Sequence, residues 1–282
     1  VVLANTIIGL SRYLAENKVD LIVVHGDRVE ALAGATVGAL RNILVAHIEG
    51  GEISGTVDEL MRHAISKLSH IHFVANKKAE RRLQQLGEDP EVIYCIGSPD
   101  VDVMLSDELP SLEEAKKRYD VVFDNYSIAM LHPVTTELET QFENASTFAD
   151  ALLESGQNYI VIYPNNDSGS EYIFAAYRRL QKMSNIRIFP SLRFEYYLTL
   201  LKNADFLIGN SSAGIHEAPI YGVPTINIGS RQQNRFKYPS IHDVPFDKEK
   251  ILLTIKESQT SKLYPACDYY GVGDSSKQFM KA

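Results

Sequence analysis

The stretch GNSSAGIHEAPIYGVPTINIG, residues 209–229, decides how the chain is read. The apolar residues ahead of it predict a short strand, Asn210-Ser211-Ser212 the entry of a helix over 213–221, Gly222 its C-cap, and 225–228 the next strand. This is one parallel β-α-β step with hydroxyls where the helix begins. Backbone N–H groups and the positive end of a helix dipole meet there, so a diphosphate can be held without a lysine. Glu217, on the second turn, is placed to accept hydrogen bonds from a ribose whose phosphates sit on Ser211 and Ser212. An ordinary capped helix of an α/β domain has the same local pattern, and the rest of the chain must decide between the two.

Working outward, the same alternation recurs. The chain opens on an amphipathic helix without an initiator methionine, and an α/β domain that opens on a helix is expected to lack its first strand or strands. Residues 20–24 (DLIVV) predict a buried strand, 29–41 an Ala- and Gly-rich helix, 43–48 a second strand and 58–68 a helix. Strands at 72–75 and 92–96, with a charged helix at 77–86 between them, complete a first half. Residues 97–110 mix Gly, Pro and Asp and read as a linker. The second half predicts a helix near 112–119, strands at 127–131, 159–163, 186–189, 206–208 and 225–228, and late helices at 247–259 and 275–282. Alternating strands and helices at this spacing mean parallel sheets covered on both faces. The expected division is 1–103 and 104–282, with the last helix available to return to the first domain.

Composition narrows the function. The 282 residues are 45% hydrophobic and 23% charged, enough for two α/β domains of ordinary size. No apolar run approaches bilayer-spanning length and no basic-then-apolar leader precedes the first strand, so a soluble, cytoplasmic protein without membrane contact is expected. A formal net charge of −8, with no concentrated basic stripe, argues against a nucleic-acid partner. Cys95 and Cys267 have neither the number nor the spacing of a zinc site or a disulfide framework.

In open parallel sheets, ligands bind beyond the carboxyl ends of the strands. The loops at those ends are polar here: 25–28 (HGDR), 49–58 (EGGEISGTVD), 132–136 (HPVTT), 164–169 (PNNDSG) and 209–212 (GNSS). The first half supplies acids (Asp27, Glu49, Asp58) and histidines (His25, His47); the second supplies neutral donors suited to a nucleotide diphosphate. Taken singly each acid reads as a cap or surface carboxylate, and Asp58 in particular as a cap of its own helix. Neither a GxGxxG loop, nor a GxxxxGK[ST] loop, nor a metal-spaced His/Cys set is present.

The strings HGDRVEALAGATVGAL, HIEGGEISGTVDE, RHAISKLSH, LHPVTTE, YPNNDSGS and GNSSAGIHEAPIYGVPTINIGSRQQNR resemble the hydrolysing UDP-N-acetylglucosamine 2-epimerases of sialic acid synthesis, over residues 2–235. The resemblance implies two Rossmann-like parallel-sheet domains in the glycosyltransferase-B arrangement, an active site in the interdomain cleft, and release of UDP and N-acetylmannosamine without NAD or an obligatory metal. It matches Arg28, His132, Asn165, Ser211, Ser212, Glu217 and Arg231 to positions that bind the UDP-sugar, and Asp27, Glu49 and Asp58 to acids of the chemistry, flanked by His25 and His47. A homodimer or homotetramer is expected. Leu60-Met61 stands where close relatives usually have Ser-Ile, and His216 where many have Arg. A hydrolysing epimerase of a diacetamido-trideoxy sugar nucleotide, of the legionaminic acid type, and a glycosyltransferase-B sugar-nucleotide transferase remain alternatives.

Overall fold

The computed structural model describes residues 1–54, 57–233, 235–260 and 264–282. Contacts divide the chain into two units: Val1–Leu105 with Tyr269–Ala282, and Ser106–Asp268. In the first, α1 (Val2–Glu16) is followed by β1 (Leu21–His25), α2 (Val29–Leu40), β2 (Leu44–Ile48) and α3 (Val57–Lys67). Then come β3 (Ile71–Val74), α4 (Lys77–Gln85), β4 (Ile93–Cys95) and α5 (Pro99–Met104). The strands pair in parallel in the order β1-β2-β3-β4. The register that sets His25 against Ile48 places Glu49 one residue past the end of β2, next to His25.

The second unit contains α6 (Leu112–Arg118), β5 (Ser127–Met130), α7 (Gln141–Ser155), β6 (Tyr159–Ile162), α8 (Ser170–Tyr177) and β7 (Ile186–Phe189). It continues with α9 (Phe194–Lys202), β8 (Leu207–Gly209), α10 (Ala213–His216), β9 (Thr225–Ile228), β10 (Ile241–Val244) and α11 (Lys248–Thr260). The sheet is parallel throughout, in the order β10-β9-β8-β5-β6-β7. Strands covered on both faces read as continuous apolar runs, and Tyr159–Ile162 (YIVI) is buried at every position. Phe148 and Leu152 of α7, Ile173 and Tyr177 of α8, and Ile251 of α11 join the core of this sheet. Burying side chains of this size is worth about 1.5–3 kcal/mol each. The chain order runs outward from β5 to β7, then returns to β8 and runs outward the other way. The carboxyl ends of β5 and β8 therefore flank the topological switch point, where such sheets bind ligands. The chain closes with α12 (Ser275–Lys281), whose Phe279 ring lies 4.5 Å from that of Phe73 on β3.

Three expectations are corrected and one strand is added. β1 is not a buried strand: it ends the described sheet and pairs only with β2, and Leu21 and Val23 are exposed. The segment 97–110 is not plain linker, because Ser98 caps α5 with Pro99 at its first position, and α5 belongs to the first unit. The helix expected over 213–221 stops at His216 and gives way to a 3-10 turn, Ala218–Tyr221. Pro219 has no N–H and its ring meets the carbonyl four residues back, so the α-helix cannot run through it. β10 was not anticipated, since Ile241–Val244 (IHDV) carries two polar residues and only Val244 is buried. Of the stretches singled out in the sequence, Gly55, Thr56 and Asn234 lie outside the described residues. Among the described residues no helix is long and apolar enough to cross a membrane.

Candidate functional site

In the second unit the loops after β5 and β8 are clasped by one side chain. Asn210, 1% exposed, accepts from the His132 N–H through Oδ1 (2.6 Å) and donates to the His132 carbonyl through Nδ2 (2.8 Å). Its own carbonyl accepts from Arg231 and Gln232, each at 3.0 Å. Gly209 makes this approach possible: its φ is +137°, and a Cβ there would lie 2.0 Å from the Met130 carbonyl oxygen. The Asn165 N–H donates to Nδ1 of His132 (3.2 Å), which fixes the tautomer and leaves Nε2–H as the donor. Burial, helped by the Arg231 charge, lowers the His132 pKa to about 4, so the ring is neutral. His132, Asn165, Asn210 and Arg231 thus form one connected group at the switch point.

The helix entry beyond it differs from the sequence reading. Ser212 occupies the N-cap position but makes no side-chain cap bond, whereas the buried Ser211 hydroxyl accepts from the Ala213 N–H at 3.3 Å. With four residues, α10 carries little dipole, and hydroxyls and backbone N–H groups are what it has to offer a phosphate. Glu217 stands at the end of α10, beside Tyr197 and Tyr221. Both phenols are pushed up, first by burial and then by the Glu217 charge.

In the first unit the acids and histidines gather at the carboxyl ends of β1 and β2. Oε2 of Glu49 pairs with Nε2 of His25 at 2.9 Å, and Oε1 accepts from the Ser98 hydroxyl. The hydrogen bond that His25 makes to Glu49 raises the His25 pKa against the opposing loss of hydration. Glu49 itself has a left-handed backbone, φ +63°, uncommon for a residue other than glycine, which turns the chain sharply at the end of β2. Asp27 pairs with the buried Arg62 of α3, whose other terminal nitrogen donates to the Glu52 carbonyl at 2.8 Å. His47 is wholly buried, with Nε2 2.8 Å from the Gly26 carbonyl and Nδ1 3.0 Å from the Ser66 hydroxyl. A carbonyl can only accept, so Nε2 carries the proton. Burial lowers this pKa to about 4, and with both nitrogens engaged His47 holds the turn that carries Asp27.

The geometry joins His25 to Glu49 and Asp27 to Arg62, and leaves two predicted residues apart from those pairs. Arg28 is the exposed N-cap residue of α2, 4.0 Å from Glu30. Asp58 is exposed on the first turn of α3, and the neighbouring Glu59 accepts from the Ser54 N–H at 2.6 Å. Sequence reasoning missed Ser98, Arg62 as the partner of Asp27, Asn210 as a clasp, and Asp100. Asp100, on the first turn of α5, has its pKa raised by loss of hydration and then by the Glu49 charge. The Ser-Pro-Asp string at 98–100 is a helix-start signal that could have placed Ser98 and Asp100 together.

A solved structure shares this architecture: the UDP-GlcNAc 2-epimerase of Methanocaldococcus jannaschii, in complex with UDP-GlcNAc and UDP, superposes with a TM-score of 0.82 at 22% identity, covering 99% of this chain and 79% of that one. That likeness defines the class, a protein of two Rossmann-like parallel-sheet domains. A family model described as UDP-N-acetylglucosamine 2-epimerase matches residues 1–282, and the chain belongs to that family. The UDP-N-acetylglucosamine 2-epimerase of Neisseria meningitidis serogroup B is 52% identical over 274 residues, 97% of this chain and 72% of the relative. The UDP-N,N'-diacetylbacillosamine 2-epimerase (hydrolyzing) of Legionella pneumophila is 32% identical over 277 residues, 98% and 74%. Polysialic acid biosynthesis protein P7 of Escherichia coli is 34% identical over 253 residues, 89% and 65%.

Proposed function

We propose that the protein is a hydrolysing UDP-N-acetylglucosamine 2-epimerase, releasing N-acetylmannosamine and UDP. The observation that carries this reading is the group of carboxylates at the ends of β1 and β2, with Glu49 held at both oxygens and Asp27 held by Arg62. Inverting C2 requires removal of a weakly acidic proton. In the first step a carboxylate takes the C2 proton, the C1–O bond to UDP breaks with its electron pair leaving on the β-phosphate oxygen, and a C1–C2 double bond forms. In the second, water adds its oxygen to C1 of this 2-acetamidoglucal and gives up one proton to a carboxylate, while a carboxylic acid returns a proton to C2 from the opposite face. Asp27, Glu49 and Asp58 supply these acid and base functions. His25 stabilises the ionised form of Glu49, and His47 holds the Asp27 turn.

Nucleotide binding is assigned to the switch-point loops, with Nε2–H of His132, Asn165, Arg231 and the hydroxyls of Ser211 and Ser212 for the diphosphate and Glu217 for the ribose. Arg28 adds a positive charge for the departing UDP. The chemistry calls for no redox cofactor or metal. A cytoplasmic homodimer or homotetramer completes the proposal.

The name of the Legionella relative supports hydrolysis and supplies the second reading, a diacetamido-trideoxy substrate. The identity of 52% to the Neisseria relative, against 32%, favours UDP-N-acetylglucosamine. A transferase of the same architecture would need an acceptor and would not turn over this sugar nucleotide alone. The test is a pair of isosteric variants: Glu49→Gln and Asp58→Asn bind UDP nearly normally but lose kcat, because an amide cannot exchange the C2 proton. Asn is as good a helix cap as Asp, so normal turnover by the Asp58→Asn protein would remove Asp58 from the chemistry and return it to a structural role.

A further inference from the structure

We propose that Ser98 is a positioning residue for Glu49, its hydroxyl held in place by the returning segment Tyr269–Ala282 so that it aims the carboxylate whose other oxygen faces His25. The inference rests on the reading of Glu49 as a proton-transfer group.

Three features carry it. First, the Ser98 hydroxyl has its hydrogen committed to Oε1 of Glu49 while its oxygen accepts from the Asp100 N–H at 3.3 Å. It therefore serves two elements at once, α5 and the turn after β2. Second, Ser98 is 6% exposed and its backbone is anchored from outside its own helix: its N–H donates to the Tyr270 carbonyl at 2.7 Å. Gly97 and Gly271 abut backbone to backbone there, and a Cβ on Gly271 would lie 3.1 Å from the Gly97 Cα. Asp102, one turn further along α5, accepts from the N–H groups of Ser275 (2.8 Å) and Ser276 (2.9 Å) and from the Ser276 hydroxyl. Those bonds outweigh the loss of hydration and hold Asp102 below the ordinary carboxylate range. Residues more than 170 positions away in the chain thus lock α5, and with it Ser98, against the end of β2.

Third, the charges around Glu49 act on it unequally. His25 on β1 attracts it, Asp100 on α5 repels it, and Asp27, held by Arg62 of α3, acts on the same His25. His25 meets Oε2 of this carboxylate and the Ser98 hydroxyl holds Oε1.

The competing role is that Ser98 merely caps α5, and the two roles separate by substitution. Glycine at an N-cap costs only a few tenths of a kcal/mol relative to serine whereas alanine costs about 1 kcal/mol, and neither has a hydroxyl. Threonine keeps both functions. The experiment compares Ser98→Gly, Ser98→Ala and Ser98→Thr with the parent protein in kcat, UDP affinity and the imidazole NMR titration of His25. Positioning predicts that Gly and Ala lose kcat equally, about tenfold, with UDP affinity unchanged, and that the His25 titration falls toward the ordinary histidine value because Glu49 no longer faces it squarely. Thr retains both readouts. If Gly keeps parental kcat and the parental His25 titration while only Ala is impaired, in step with its melting temperature, Ser98 is a cap and the proposal is wrong. If the parent releases no UDP from UDP-N-acetylglucosamine, the functional reading fails instead, and the His25 titration still decides whether the hydroxyl aims Glu49.

Discussion

Replacing Asn210 by alanine removes the clasp between the loops after β5 and β8, and its cost follows from the geometry. Two hydrogen bonds disappear, at 2.6 and 2.8 Å, and the N–H and carbonyl of His132 lose the partner that met them where Asn210 is 1% exposed. Each bond is worth about 1 kcal/mol net, and each group left unsatisfied in a buried setting costs about 1–3 kcal/mol, partly relieved where water enters. The expected loss is about 3 kcal/mol, more than a hundredfold in the equilibrium between folded and unfolded second unit. Asn210→Asp keeps the acceptor for the His132 N–H but sets a second acceptor against the His132 carbonyl and buries a charge, so it is destabilising as well. The chain has no tryptophan, so urea denaturation is followed by circular dichroism, with hydrogen exchange at β5 and β8 to localise the effect. A loss below about 1 kcal/mol in Asn210→Ala, with exchange at both strand ends unchanged, would refute the clasp.

Two histidines with strongly lowered pKa contribute to the acid sensitivity. His47 and His132 both have pKa lowered to about 4, so between that value and 6.5 the unfolded chain binds more protons than the folded one. Their contribution is complete above 6.5 and is lost as pH falls; by pH 5 it has dropped about 2 kcal/mol for each, which denaturation at pH 7.5 and pH 5 measures, and equal stabilities would contradict it. His25 has the opposite sign: its raised pKa means that the His25–Glu49 attraction is present at low pH and is lost as pH rises through that value. Glu217→Ala weakens UDP binding by about 1.5–3 kcal/mol through loss of a charged acceptor for the ribose; calorimetry finding unchanged affinity in the folded variant would move the ribose elsewhere.

Most strands could be read directly because burial on both faces favours apolar runs, unbroken in YIVI at 159–162 and interrupted by the buried Asn227 in TINI at 225–228. β10 could not, because an edge strand with His242 and Asp243 has no such run. The expected helix over 213–221 breaks before Pro219, although the Ser-Ser entry and the Gly222 end alone read as one helix. What no local pattern contained was strand order. The alternation of strands and helices predicts parallel sheets, but only pairing β5 with β8 shows that His132 and Asn210, 78 positions apart, share a switch point. Ser98 and Glu49, 49 positions apart, illustrate the same limit: Glu49 is a candidate from the sequence, Ser98 is not, and their hydrogen bond is a product of the fold that brings the end of β2 and the start of α5 together.

The most direct test of hydrolytic epimerisation is proton NMR of the purified protein incubated with UDP-N-acetylglucosamine alone in deuterium oxide. The account predicts UDP and free N-acetylmannosamine in equal amounts, with one deuterium at C2 of the sugar. Accumulation of UDP-N-acetylmannosamine with the glycosidic phosphate bond intact would contradict hydrolysis, and product retaining its original C2 hydrogen would contradict proton exchange by the carboxylates.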